Sequence, residues 1–292
     1  MGLVLMLVAV SCGDDSQDDE RGGAPAPAAP STESASTSLP ETSVPLVRDG
    51  VRYLDPVFGH IETIENVVYW PDAPPLPDVT NIWRADLWMD IHMPAGDTET
   101  RRPVVLVLEA SPDSWEVDHF VQRGYVVVTP IVRGRPSGAG INALLLTRQG
   151  MVDAAGAVRY LRANAETYRL HPDAIAATGY SGAGIVSLAL AWGQANSPHV
   201  TEIDLFGAMT VPLPGEPDFG GYLADEPSGI AAAFPMAAWY PRELIDPGEP
   251  PVIMFNGASD PTYPFEAVEQ ICPAAHEARV TCQLRTFPTG HA

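Results

Sequence analysis

The segment Ile175-Ala176-Ala177-Thr178-Gly179-Tyr180-Ser181-Gly182-Ala183-Gly184-Ile185-Val186 constrains the fold more than any other part of the chain. An apolar run suited to a buried strand gives way to a second apolar run of helical character, with mostly small residues between them. So tight a strand-to-helix turn excludes bulk and leaves one serine, Ser181, at its apex. There the hydroxyl is held above the sheet at the opening of a helix, where backbone N–H groups and the helix dipole favour developing negative charge. A small-residue turn with a serine also suits a purely structural role, so the turn alone leaves both readings open.

A strand–turn–helix unit implies a parallel sheet, and the flanking sequence supplies further units. Alternating apolar positions predict two early strands over 61–69 and 82–92, antiparallel in character. Mainly apolar runs predict buried strands over 103–108, 125–131, 174–178, 205–211, 252–255 and 280–287. Helix-spaced apolar residues predict helices over 115–123, 151–168 and 184–194; the second carries Met151, Ala155, Val158 and Leu161. The expected architecture is one α/β domain over residues 46–292, with a mostly parallel central sheet flanked by helices. Residues 212–250, rich in proline, glycine and aromatics, predict a lid-like insertion. Tyr180, Trp239 and Tyr240 are candidates for the wall of a substrate pocket, together with Phe219, Tyr222, Phe234 and Met236. Ordinary packing is the alternative for these aromatics.

Two groups follow the serine in a telling order. The run Val252-Ile253-Met254-Phe255-Asn256-Gly257-Ala258-Ser259-Asp260 is a strand leading into a loop that carries an acid. The last predicted strand leads to Phe287-Pro288-Thr289-Gly290-His291. Serine is a poor nucleophile until an imidazole takes its proton, and a carboxylate fixes the tautomer of that imidazole and stabilises its charged form.

With these motifs in place, the stretch from about Tyr53 to His291 resembles the α/β-hydrolase superfamily, and within it secreted carboxylesterases. The resemblance rests on Asp90-Ile91-His92-Met93-Pro94, Arg123-Gly124-Tyr125-Val126-Val127-Val128, Arg159 to Asn164 followed by His171-Pro172-Asp173, the Ser181 turn, Gly257-Ala258-Ser259-Asp260 and Gly290-His291. It implies an α/β-hydrolase fold, Ser181 as nucleophile, His291 as general base and Asp260 as the group that orients the imidazole. It implies no metal and no organic cofactor. The family motif G-x-S-x-G is shifted here, because Ala183 stands at its last position and Gly184 follows. The N–H of Gly182 is the expected first oxyanion donor. The second is expected from the main chain of Ala110 or Ser111, although Glu109-Ala110-Ser111-Pro112 replaces the His-Gly-Gly-Gly run of many related esterases. Glu109 itself reads either as a solvated or salt-bridged acid, with Arg133 as a partner, or as a polar group lining the cleft.

The charge balance excludes a nucleic-acid partner. All 16 basic residues are arginine, they are scattered, and they face 37 acids, for a net charge of −21. The apolar run 2–11 is far shorter than the ~20 residues of a membrane-spanning helix, and it reads as an export signal. Small residues before Cys12 resemble a bacterial lipoprotein signal with Cys12 as the lipidated residue, an ordinary signal peptide or a buried helix turn being the alternatives. Residues 13–45, with seven acids, one arginine and almost nothing to bury, predict a disordered tether. The expected location is therefore outside the cytoplasm, as a surface or periplasmic lipoprotein or a secreted protein, touching a membrane only through Cys12. In an exported chain Cys272 and Cys282 can pair as a disulfide, or remain two buried thiols. Cys272 and His276 have a spacing that metal ligands use, but no second pair completes a tetrahedral site. The function this reading implies is hydrolysis of a small or polymeric carboxylic ester through an acyl-serine intermediate. A peptidase on the same fold and a non-catalytic tethered binding domain are the alternatives.

Overall fold

The computed structural model describes residues 50–75, 82–108, 114–133, 141–193, 202–205, 209–212 and 222–291. Cys12, the 13–45 segment, Glu109, Ala110, Ser111 and Phe219 lie outside the described residues.

Valine-rich runs build the centre of the molecule. Strands β1 (Ile61–Ala73), β2 (Ala85–Pro94), β3 (Arg102–Leu108) and β4 (Val126–Pro130) precede the Ser181 turn. Helix α1 (Trp115–Val121) lies between β3 and β4, and α2 (Ile141–Ala163) follows β4. Strand β5 (Leu170–Gly179) then leads into α3 (Gly182–Trp192). Beyond it come β6 (Glu202–Leu205), β7 (Met209–Pro212), β8 (Ala232–Ala233), β9 (Val252–Gly257), α4 (Phe265–Val268), α5 (Ile271–Glu277) and β10 (Cys282–Phe287).

Eight strands form one sheet in the order β1-β2-β4-β3-β5-β8-β9-β10. β1 and β2 pair antiparallel, as does β2 with β4, and every pairing from β4 to β10 is parallel. Successive side chains of a strand point to opposite faces, so a strand covered on both faces must be apolar throughout. In β3 and β4, Val105, Val107 and Val127 pack with Val117 and Val121 of α1. Val104, Leu106, Leu108, Val126 and Val128 belong to the larger core that includes buried residues of α2 and α3.

The expected strands and helices are present with shifted ends, with one exception in the middle of the chain. The run expected as a single buried strand over 205–211 is split into β6 and β7, which pair antiparallel with Glu202 opposite Pro212 and Leu205 opposite Met209, apart from the main sheet. Gly207 interrupts that run in the sequence, and an apolar run read by composition alone does not register such a break. The place in the sheet is taken by β8, from within the segment expected as a lid-like insertion. The N–H groups of Ala231, Phe234 and Met236 donate to the carbonyls of Ile175, Ala177 and Gly179 at 2.7, 3.0 and 2.9 Å. The stretch 231–236 therefore runs along β5 up to the Ser181 turn and is part of the sheet, not an insertion over it.

The aromatics of that segment are also partly reassigned. Trp239 and Tyr240 are both buried in the main core, and Tyr240 packs edge-on against Trp192 of α3 at 5.9 Å between ring centroids. Tyr222 stacks on Trp70 of β1 at 5.1 Å. Large aromatic surface is worth most where it is fully removed from water, which draws these rings into the core. Arg133 is paired with Asp153, which is buried on α2 and accepts the Arg133 Nε–H at 2.9 Å and an Nη2–H at 2.7 Å. The same guanidinium donates to the carbonyls of Ala73, Pro74 and Trp83, tying the β1–β2 connection to α2.

Candidate active site

Parallel strands bring their C-terminal ends to one edge of a sheet, which is where open α/β proteins bind ligands. Here β5 ends at Gly179, β9 at Gly257 and β10 at Phe287, and the next few residues of each carry Ser181, Asp260 and His291.

Ser181 has φ 55° and ψ −118°, a conformation that side chains rarely adopt and that costs about 1–3 kcal/mol. The surroundings hold it there. Its N–H donates to the Met236 carbonyl at 2.9 Å, and α3 begins at the next residue. The displaced glycine of the motif has a packing reason. A Cβ on Gly184 would lie 2.7 Å from that of Ala238 and 3.0 Å from the Met236 carbonyl, so this position must be bare. Ala183, by contrast, faces Gly179, where a second Cβ would approach to 2.7 Å. One methyl fits between strand and helix, and the sequence places it on the helix.

The loops after β9 and β10 are stitched together by their backbones. Ala258 N–H donates to Phe287 O at 2.8 Å and Ser259 N–H to Thr289 O at 2.9 Å. Gly257 lies so close under this crossing that a Cβ there would sit 1.9 Å from the Gly290 carbonyl. Cys272 of α5 and Cys282 of β10 are joined in a disulfide with their Cα atoms 5.1 Å apart. His276 Nε2 lies 2.9 Å from the Cys282 carbonyl, so both members of the Cys272/His276 pair have other partners.

These loops bring the three sequence-predicted groups into one hydrogen-bonded chain. His291 Nε2 lies 2.9 Å from Ser181 Oγ, and His291 Nδ1 lies 2.8 Å from Asp260 Oδ2. The Asp260 side chain is completely buried, while that of His291 keeps about a quarter of its exposure, 24%. Asp260 Oδ1 accepts the N–H groups of Thr262 and Tyr263 at 2.7 and 3.1 Å. Burial alone would raise the Asp260 pKa. The hydrogen bonds from His291, Tyr263 and Thr262 outweigh it and hold the carboxyl below the usual carboxylate range. An ionised carboxylate can only accept, so Nδ1 carries the ring proton and Nε2 presents a lone pair to Ser181. A hydroxyl so placed can pass its proton to the imidazole while its oxygen attacks an electrophile.

Two tyrosines frame the imidazole. Tyr180, a candidate for the pocket wall, is 42% exposed; its ring lies 5.2 Å from that of His291 and its hydroxyl donates to the His291 carbonyl. Tyr263 was not foreseen. Its ring lies 5.4 Å from the imidazole. The one signal in the sequence is its place three residues after Asp260, on the same loop.

The sheet order, the parallel core and the strand–turn–helix at Ser181 define an α/β-hydrolase fold. The structure is similar to that of esterase 2 from the planctomycete Thermogutta terrifontis. The native form aligns with TM-score 0.53 at 22% identity, covering 78% of this chain and 82% of the esterase. The butyrate-bound form aligns with TM-score 0.53 at 21% identity, covering 78% and 84%. The form phosphonylated by sarin aligns with TM-score 0.54 at 20% identity, covering 78% and 85%. By sequence, the chain matches no family model and no curated protein.

Proposed function

We propose that the protein is a serine hydrolase that cleaves carboxylic esters through an acyl-serine intermediate, with Ser181 as nucleophile, His291 as general base and acid, and Asp260 as the group that orients and charges the pair. The observation that carries this reading is the hydrogen-bonded chain Ser181–His291–Asp260, 2.9 and 2.8 Å long in its two links, drawn from the ends of three parallel strands. The likeness in fold to an esterase supports it.

In the proposed reaction Ser181 Oγ attacks the ester carbonyl as its proton moves to His291 Nε2. Asp260 stabilises the imidazolium through its bond to Nδ1. As the C–O bond of the alcohol breaks, His291 returns the proton to the leaving oxygen, and water repeats the sequence to release the acid. The carbonyl oxygen becomes negative on attack and needs preorganised donors, each worth about 3 kcal/mol or roughly a hundredfold in rate. The Gly182 N–H, at the opening of α3 where N–H groups have no intrahelical acceptor, is the first donor. A main-chain N–H of Ala110 or Ser111 is the second.

The test is hydrolysis of p-nitrophenyl esters of increasing acyl length by the full chain, with Ser181→Ala as the blank. Serine-dependent turnover supports the reading, and the length dependence sizes the acyl site. A well-folded protein that turns over none of them, or a Ser181→Ala variant that still does, contradicts it.

A further inference from the structure

We propose that Tyr180 is a positioning residue for the general base: its phenol, donating to the main-chain carbonyl of His291, ties the loop that carries the imidazole to the residue before the nucleophile. The proposal rests on the ester hydrolysis proposed above. It adds the group that keeps Nε2 in place against Ser181 Oγ while the bond between them is broken and remade.

Tyr180 is itself held firmly. Its backbone forms a parallel bridge with Met236, and its carbonyl accepts the N–H of Ala183 at the opening of α3 at 3.1 Å. From that base the ring reaches His291, with centroids 5.2 Å apart and planes inclined at 55°, and the hydroxyl donates to the His291 carbonyl. Partial burial, helped by the Asp260 charge, holds the Tyr180 pKa above its ordinary value, so the phenol keeps its proton through the neutral range.

His291 needs such a tie. Among the described residues, the backbone bonds between the loops after β9 and β10 stop at the Thr289 carbonyl. Gly290 follows, and a Cβ there would meet nothing closer than the Ser259 carbonyl oxygen at 3.8 Å, so packing does not fix this link, and glycine has the widest choice of backbone conformations. Beyond it the imidazole is held by its two ring nitrogens. One of those bonds, the 2.9 Å link from Nε2 to Ser181 Oγ, is given up each time Oγ becomes part of the acyl-enzyme. The bond from Nδ1 to Asp260 then fixes one point and leaves the ring free to swing about it. The Tyr180 phenol fixes a second point of the same residue, on the main chain and off the path of the proton. It persists through the cycle and returns Nε2 to one place for the leaving alcohol and for the attacking water.

The placement also couples nucleophile and base. Tyr180 and Ser181 are neighbours in the chain, and together they hold His291 at its carbonyl and at Nε2. A small shift of the turn carries both contacts with it, so the spacing of Oγ and Nε2 is kept.

The test is Tyr180→Phe against the parent on p-nitrophenyl esters of increasing acyl length. Phe keeps the ring against His291 and removes only the hydroxyl. Rates are expressed per Ser181 titrated to completion by an organophosphonate, so that misfolded chains do not count. His291 serves acylation and deacylation alike, so both steps slow together. The expected result is a roughly tenfold fall in kcat with KM within about twofold, the same at every acyl length, the scale of one neutral hydrogen bond. A kcat within about twofold of the parent overturns the proposal. So does a loss that falls on KM or varies with acyl length, because that marks Tyr180 as a wall of the acyl site, acting on the substrate and not on the base. Ser181→Ala in the same assay separates this idea from the reading beneath it. If it is inactive while Tyr180→Phe behaves as the parent, only the tie falls; if it stays active, the nucleophile assignment falls and the tie with it.

Discussion

Asp260 is ionised because its hydrogen bonds overcome its burial, and this has consequences for both activity and stability. Asn at this position can hold the imidazole in the wrong tautomer, so Asp260→Asn is expected to lower kcat by roughly a thousandfold or more; a loss below tenfold contradicts the orienting role. Because the folded-state pKa is depressed, the carboxylate contributes stability that is fully present above the unfolded value near ~4 and is lost as pH falls through the lower folded value. Asp260→Asn is expected to lose less stability than the parent between neutral and strongly acid pH, as followed by thermal unfolding. Glu249 is the opposite case. Burial pushes its pKa up to about 8, with the neighbouring Asp246 charge adding to the rise and the hydrogen bond from the Asp246 N–H opposing it, and its Oε1 is buried with no hydrogen-bond partner among the described residues. The folded chain then holds a proton that the unfolded chain releases, so a penalty opens as pH rises above ~4.5 and is complete beyond about 8. Glu249→Gln is expected to gain in melting temperature over the parent increasingly from pH 5 to pH 8, and a difference independent of pH contradicts this. Of these residues, Asp260 and His291 were legible in the sequence because the chain order of an acid and a histidine after successive strands is a strong constraint. Tyr263 was not, because its ring meets that of His291 only where two loops distant in sequence fold together, which no local pattern records.

The strand-to-helix turn at Ser181 is an element built under strain. Gly adopts positive φ without steric cost, so Ser181→Gly is expected to be inactive yet more stable, by about 1 kcal/mol or about 2–3 °C. A melting temperature below that of the parent contradicts the account of the turn. The turn itself was legible, down to the substitution of Ala183 for glycine, because small residues at strand–helix contacts have a direct steric cause. The buried strands were legible for the same kind of reason: runs such as Pro103-Val104-Val105-Leu106-Val107-Leu108 have no polar face to offer water. β8 was not legible. It is two residues long, lies in a Pro- and Gly-rich stretch, and is fixed in the sheet by backbone hydrogen bonds to β5 and not by a side-chain pattern. Trp239 and Tyr240 lie in the buried core, and composition does not distinguish a ring that walls a pocket from one packed there.

At the scale of the whole molecule, one sheet gathers the segments that carry Ser181, Asp260 and His291 after β5, β9 and β10. We propose that Cys12 bears a lipid that tethers the hydrolase to a membrane surface, with the acidic 13–45 segment as spacer. The expected outcome is that the full chain, produced in a bacterium that exports it, fractionates with membranes and that Cys12→Ala moves it to the soluble fraction; equal partition of the two contradicts the tether. The central claim, that Ser181 is the nucleophile of an acyl-transfer site, is tested most directly by treating the full chain with an organophosphonate and mapping the adduct by mass spectrometry. The account predicts one phosphonyl group per chain, on Ser181, and none on Ser181→Ala. A folded protein that takes up no label, or takes it up at another residue, contradicts it.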